Sequence, residues 1–580
     1  MGIDLVNSAE DFTDDFIRGF AAAHADRVRR VPGGLVRRLQ AGSNEVAVVI
    51  GGGTGHFPAF AGLVGEGLAH GAALGNVFAS PSAQQVFDVA VAAHRGGGVL
   101  LAYGNYAGDV LNFDEAQRLL RQAGIDCRTV RVTDDIASRP LDQREERRGI
   151  AGDLPVFTLA GAAAARGLPL DDVERVARAA NDATRTFGIA YSGCTLPGEA
   201  EPLFTVPMGQ MALGLGIHGE PGLELVPRSS AAATARVLVD RVLAEFDCTR
   251  RRALIIVNSL GGTSLEELFV LYGGVEALLS DAGIEIVAVE VGEFCTSFDM
   301  AGVSLTITLL DDELEDLWAD PSDAPAFRKS PRRADRSVDL AREADSALGR
   351  PTSAEYSEAS HESRRIAALI ATGFELARDA VEQEVGELGR LDAIAGDGDH
   401  GIGMQRGVRA ASKAAASAAA AGAGAHSTLN AAATAWANRA GGTSGMLWGA
   451  ALAEIAAHLD DETAPTDADL AAAVVSARNV ITSRGGASPG DKTLVDALHP
   501  LAQTFAARVS EGEPLATSWG AAADAAANGA LATTSLTARR GRAKTHDDRS
   551  IGTPDPGAVS LALIARAVGG LAAGKDTQQK

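Results

Sequence analysis

A change of patterning near the middle of the 580-residue chain limits what it can fold into. From about Asp320 to Arg364 the sequence turns charged and rich in Ser and Pro, and apolar periodicity fades, as expected of a linker. Before that stretch, compact apolar runs alternate with helical patterns. Glu45–Ile50, Gly98–Tyr103, Cys127–Val132, Ala253–Val257 and Ile284–Val291 read as strands, while the stretch from Ala59, Leu111–Ala123 and about Ser264–Leu279 read as helices. This alternation implies two α/β subdomains with largely parallel sheets covered by helices, roughly residues 1–185 and 186–330. After the linker, strand signals nearly vanish. Eight stretches between Ile366 and Leu571 read as helices, several of them separated by glycine-rich turns. The expected organisation is an α/β region over 1–330, a charged linker over 331–362 and an all-α helical barrel or bundle over 363–575.

Charge narrows the choice of partners. A formal net charge of −23 argues against nucleic acid and against an anionic membrane surface. A phosphorylated small molecule stays compatible, because backbone N–H groups and a metal bind phosphate inside an acidic protein. Cys127, Cys194, Cys248 and Cys295 are widely scattered and form no Cys-x-x-Cys pair, which reads as buried free thiols in a reducing compartment. The N-terminus, MGIDLVNSAEDF, lacks a basic region followed by an apolar run, and no apolar stretch is long enough to span a bilayer. A cytoplasmic protein is expected.

The segment LDAIAGDGDHG, Leu391 to Gly401, gathers Asp392, Asp397 and Asp399. Their spacing does not suit one helical face, whereas a turning loop with glycines at Gly396, Gly398 and Gly401 would bring them together. Crowded carboxylates need a cation, and hard oxygen ligands favour Mg²⁺ or Ca²⁺ over zinc. Read alone, the segment is equally a nucleotide–Mg²⁺ site or a solvated acidic turn.

Gly51–Pro58 (GGGTGHFP) follows a strand, and glycines there let backbone amides approach a small polar ligand. No Lys-Ser/Thr follows, so it is not a nucleotide P-loop. His56 sits where ligand crevices of α/β folds form. Asp109, in YGNYAGD, is either the cap of a helix starting near Leu111 or a general base in the same crevice. Ser80, in GNVFASPS, lies at another strand–loop junction. His218, in GLGIHGEPG, is flanked by Gly216 and Gly219, and a neutral imidazole in such a loop is a nucleophile when well placed.

Together these segments resemble the dihydroxyacetone kinase family in its single-chain ATP-dependent form. The resemblance runs in order through GGGTGHFP, GNVFASPS, GNYAGDVLNF, GIHGEPG, NSLGGTS, CTSFDMAG, LDAIAGDGDHG, GGTSG, SPGDKTLVDAL, and GRA followed by PDPGAVS. It implies an ATP-dependent kinase of a short ketose, dihydroxyacetone or erythrulose, with a substrate-binding α/β region and an eight-helix barrel for ATP and Mg²⁺. By resemblance His218 holds the ketone as a covalent hemiaminal, Asp109 takes the proton from the terminal hydroxyl, His56 assists, and Gly53 contacts the substrate. Asp392, Asp397 and Asp399 match the Mg²⁺ ligands. His400, Gly401, Thr443, Ser444, Gly485, Gly486, Arg542, Asp555 and Gly557 match nucleotide contacts. The resemblance also implies a homodimer.

Two departures stand out. Where the family commonly has lysine, this chain has Gly104, which deletes a cationic side chain and opens space for a ketose one carbon longer, such as erythrulose. Where the family often has Ser-Tyr after Gly-Arg-Ala, this chain has Lys544–His546, to which the resemblance assigns no role. Two other readings accompany the kinase: a cyclising FAD-AMP lyase using the same nucleotide site, and a non-catalytic ketose-binding regulator.

Overall fold

The computed structural model describes residues 3, 5–38, 42, 44–247, 252–330, 356, 359–394, 396, 398–440, 442–540 and 550–575. Two compact units, residues 1–338 and 339–580, divide the chain.

The first unit opens with helix α1 (Phe12–Ala23) and a hairpin, β1 (Val28–Val31) and β2 (Gly34–Arg37). It continues through β3 (Ala47–Thr54), β4 (Gly71–Val77), α2 (Ala83–Ala93), β5 (Val99–Gly104), α3 (Ala107–Gln122) and β6 (Cys127–Val132). These strands form one sheet in the order β1-β2-β4-β3-β5-β6, parallel from β4 to β6. β3 and β5 are buried along their whole length, as central strands covered on both faces must be.

Helices α4 (Asp153–Ala165) and α5 (Leu170–Asp182) lead to a second sheet. It contains β7 (Thr184–Ala190), β8 (Gln210–Leu213), β9 (Glu224–Pro227), β10 (Arg252–Ser259), β11 (Glu285–Glu293) and β12 (Gly302–Leu309). Helices α6 (Ala231–Leu243), α7 (Leu265–Asp281) and α8 (Asp312–Trp318) belong to the same unit, which ends in a two-residue hairpin pairing of Ser322–Asp323 with Arg328–Lys329. The strand order is β11-β10-β12-β7-β8-β9, and only β10–β11 pair in parallel. The second sheet is therefore mainly antiparallel, a departure from the parallel pattern that the alternation suggests. A single buried cluster joins Ile50 and Leu100 of the first sheet to Leu254 and Ile256 of the second.

Two local readings change. The glycine run Gly51–Gly53 is strand, not loop, because its parallel pairing with β4 continues through Gly51–Ala73, Gly52–Leu74 and Gly53–Gly75. A Cβ on Gly52 would stand 2.3 Å from the Phe60 ring, and one on Gly53 would stand 2.8 Å from the Ala79 backbone nitrogen. The glycines are needed for that close packing. The helix expected from Ala59 is only a 3-10 turn at Ala61–Leu63.

The second unit is all helical among its described residues. Its eight helices are α9 (His361–Asp392), α10 (His400–Ala420), α11 (Ala425–Ala440), α12 (Gly442–Ala457), α13 (Asp467–Gly485), α14 (Val495–Ser510), α15 (Leu515–Ala532) and α16 (Pro556–Lys575). Each packs on the next, and α16 packs back on α9, which closes the ring. The interior is alanine-rich, with Trp436 stacked on Trp448 at 5.1 Å. Consecutive helices joined by short turns run in opposite directions, so the starts of α10, α12, α14 and α16 gather at one end. His400 bonding Ser560, and Lys492 bonding the Ser550 and Thr553 carbonyls, tie that end together.

Candidate active site

The first unit holds a small cavity where strand ends of both sheets meet. It is lined by Gly51–Gly53, His56, Phe60, Gly104, Tyr106, Asp109, Gly149, Asp153, Ile217, His218 and Cys295. His56 follows β3, and Gly55 before it adopts φ +115°, open to glycine alone. Asp109 lies in the first turn of α3, which begins at Ala107 rather than near Leu111, so Asp109 is not the residue before the helix. His218 sits in the loop after β8.

The two imidazoles meet directly. His56 Nε2 and His218 Nε2 are 2.9 Å apart, with the rings perpendicular. The Thr296 carbonyl only accepts, so His56 Nδ1–H donates to it at 2.8 Å. That leaves the His56 Nε2 lone pair facing His218, whose Nε2–H donates. Burial first, and the neighbouring His218 second, push His56 down to about 3, so its ring is neutral at working pH.

Behind His218 stands a carboxylate. Glu220 accepts from the His218 backbone N–H at 3.0 Å and from Nδ1–H at 3.2 Å. Burial raises the Glu220 carboxyl, but the hydrogen bond and charge of His218, together with Arg148, outweigh it and hold Glu220 at about 2. Arg148 bridges Glu220 at 3.5 Å and Asp135 at 2.8 Å. When the His218 Nε2 proton leaves, the Nδ1–H tautomer remains and Nε2 is free to attack. Aromatic rings fix the pair: Phe78 stacks on His56 at 4.9 Å, and Tyr106 meets His218 edge-on at 4.7 Å. Phe78 and Phe298 hold φ of 52° and 48°, a strained backbone of the kind that collects at functional sites.

Asp109 is buried, and burial pushes it up to about 6, against the pull of a Ser80 hydrogen bond and the His218 charge. A carboxylate poised there suits a general base near neutral pH. Gly104 ends β5, and a Cβ on it would stand 3.2 Å from the Gly149 carbonyl oxygen and 3.4 Å from the Tyr106 ring. The structure thus brings Gly53, His56, Ser80, Gly104, Asp109 and His218 into one neighbourhood. Sequence reasoning missed Glu220, Arg148, Tyr106 and Asp153. An acid two residues after His218 was the available signal for Glu220; the others carry none until the chain folds.

The second candidate region is the end of the helical unit where the even-numbered helices start. Asp392 is the last residue of α9 and Asp399 the residue before α10, so these two are not both in a loop. Asp397 and Arg542 lie outside the described residues, as do Lys544–His546. Helix α10 begins at His400, which puts His400 and Gly401 in its first turn. The His400 backbone N–H points at Asp392 Oδ2 at 3.4 Å. Thr443 and Ser444 are exposed in the first turn of α12, where amide donors and the helix dipole favour anions. Gly485 and Gly486 end α13, with Gly486 at φ +59° as a left-handed cap.

Asp555 and Gly557 open α16. Desolvation, and then the charges of Asp496 and Asp392, push the Asp555 carboxyl up to about 7, despite an N–H bond from Ala558 and the nearby Lys492. Carboxylates crowded in this way suit a divalent cation with oxygen ligands. Asp392 and Asp399 are the described carboxylates beside the α10 start, and among the described residues no group of three or more metal-ligating side chains is found.

Residues 18–326 match the Dak1 domain family, and residues 394–570 match the DAK2 domain family. The chain belongs to the dihydroxyacetone kinase family. It is 49% identical over 572 residues to the L-erythrulose kinase of Pectobacterium atrosepticum, covering 97% of this chain and 95% of that protein. It is 51% identical over 567 residues to the D-erythrulose kinase of Mycolicibacterium smegmatis, covering 97% of each. Among solved structures, the dihydroxyacetone kinase of C. freundii in complex with AMP-PNP and Mg²⁺ is similar, with a TM-score of 0.57 and 29% identity over 98% of this chain and 100% of that one. No helix among the described residues is long and apolar enough to cross a membrane.

Proposed function

We propose that this chain is an ATP-dependent kinase that phosphorylates a terminal hydroxyl of a short ketose, with erythrulose preferred over dihydroxyacetone. The observation that carries this reading is the His56–His218 contact, backed by Glu220, in the same cavity as Asp109.

His218 Nε2 gives its proton to His56 Nε2 and attacks the ketone carbon. His56, a very weak base in this burial, passes the proton to the carbonyl oxygen as the N–C bond forms. The ring keeps Nδ1–H on Glu220, so charge is conserved throughout. Glycerol has no carbonyl and is not trapped. Asp109 then accepts the proton of the terminal hydroxyl as its oxygen attacks the γ-phosphorus and ADP leaves.

Phosphate binding falls to the amides of the α10 and α12 starts, with Asp392, Asp397 and Asp399 as the residues that would hold Mg²⁺. Bound there, the ion supplies charge neutralisation for the phosphates. Gly485, Gly486, Arg542, Asp555 and Gly557 belong to the nucleotide surface in this reading. The kinase is favoured over the cyclase and the regulator because relatives of about half identity along nearly the whole chain are named kinases.

Gly104 supports the four-carbon preference, since it leaves the cavity without a side chain at that point. The test is kcat/KM for dihydroxyacetone, both erythrulose enantiomers and glycerol with ATP and Mg²⁺, with products assigned by NMR. Turnover of erythrulose above dihydroxyacetone, and none of glycerol, is expected. Phosphorylation of no ketose overturns the kinase, and a clear preference for dihydroxyacetone overturns the four-carbon reading.

A further inference from the structure

Beyond the histidine pair and Asp109, the cavity is lined by two buried polar atoms that have no hydrogen-bond partner among the described residues: Asp153 Oδ1 and Tyr106 Oη. Such atoms are rare in a folded interior, because leaving a buried polar group unpaired is costly. Asp153 is 3% exposed and opens α4, a helix otherwise buried through Ala164 and almost wholly apolar. A carboxyl at a helix start answers the helix dipole, but a solvated one does so without being buried as Asp153 is. Tyr106 stands over His218 with its ring edge and keeps its hydroxyl inside.

The chemistry of the pair is that of neutral groups. Burial first, then the charges of Asp134 and Asp109, push the Asp153 carboxyl well above its ordinary range. Burial likewise keeps the Tyr106 phenol protonated. A protonated carboxyl and a phenol each donate one hydrogen bond and accept others, which matches hydroxyl groups and not a cation or an anion. Gly104, the last residue of β5, lines the same space.

Resting on the ketose kinase reading above, we propose that Asp153 and Tyr106 form a hydroxyl-binding subsite for the end of the ketose that is not phosphorylated. With the C1 hydroxyl as the one phosphorylated, a four-carbon ketose presents two hydroxyls at that end, on C3 and C4, whereas a three-carbon ketose presents one. The subsite satisfies both partners only with the longer substrate. A site built to hydrogen-bond a hydroxyl discriminates strongly against the analogue that lacks it, because its own groups are then left unpaired.

The experiment compares kcat/KM for erythrulose and dihydroxyacetone in the full-length protein and in Tyr106→Phe, Asp153→Asn and Asp153→Leu. Tyr106→Phe is expected to lower the erythrulose value about tenfold and the dihydroxyacetone value less than about threefold. Asp153→Leu is expected to lower erythrulose about a hundredfold, while Asp153→Asn, which still donates and accepts, stays within about fivefold of the parent. If both substrates fall by the same factor, or if Asn is as damaging as Leu, the subsite is overturned. Tyr106→Phe removes a single oxygen, so it decides the matter even if Asp153→Leu does not fold. A parent enzyme that phosphorylates no ketose sinks both readings; a parent active on erythrulose with an unmoved substrate ratio in Tyr106→Phe sinks the subsite alone.

Discussion

Around the α/β cavity His218 is paired with Glu220, and Glu220 and Asp135 with Arg148, before any ligand arrives. At the starts of α10 and α12 the arrangement differs: Asp399, Thr443 and Ser444 are exposed, and the His400 N–H lies 3.4 Å from Asp392 Oδ2. The contrast follows from the two ligands. A ketose is small and neutral, so the protein must bring both nucleophile and base with their protons already placed. A nucleotide carries its own charge and a metal, so the protein offers donors and carboxylates and leaves them exposed.

The sharpest way to break this contrast is His218→Ala. Ketose phosphorylation is expected to fall by about 10⁴, with nucleotide affinity unchanged within about twofold. A mass spectrum of the protein with ketose would lose the adduct, and calorimetry with ATP would look like the parent. An equal collapse of ATP binding would mean that the two regions do not work separately.

Asp109→Asn comes next, with kcat expected to drop about a thousandfold while the adduct mass persists. The parent should show the sign of that base in its pH profile. Asp109 works deprotonated, and burial raises it to about 6, so turnover falls as pH drops through about 6. His56, held near 3, contributes no limb in that range. A flat profile down to pH 5 would remove Asp109 from the role.

The smallest expected effect lies at the helical end. Asp399→Asn should weaken ATP binding about tenfold in Mg²⁺ and much less in its absence, with the ketose adduct untouched. Weakening that ignores the metal would leave Asp399 a helix-end charge and nothing more.

Much of the architecture is legible in the chain itself. Apolar runs separated by helical patterns mark the α/β half, and alanine-rich periodicity marks the helices, because both reflect local burial. Cys127–Val132 reads as a strand with the bounds it has in the structure. The errors fall where tertiary contacts decide. The glycines of Gly51–Gly53 look like a loop, but the Phe60 and Phe78 segments close over them and keep them in the strand. The second sheet's antiparallel pairing depends on where β12 inserts, which no local pattern records. His56, Asp109 and His218 each stand out only weakly, and the family resemblance rather than spacing joins them. Asp153 was invisible, since an acid at a helix start is ordinarily a dipole partner. Only its burial gives it another meaning.

The alternating direction of the eight helices has a consequence for how this half can be altered. The turns after α10, α12 and α14, at residues 421–424, 458–466 and 511–514, lie opposite the end where α10, α12, α14 and α16 start. So does the start of α9, where Ser360 and Ser363 bond the Asp461 and Asp460 carbonyls. In the proposed reading one end of the ring binds the nucleotide, while the described turns at the other join helices. For a protein engineer, the joining end is where a fluorophore, an affinity handle or a new chain break belongs, and the other end is where even a single added residue has to be justified.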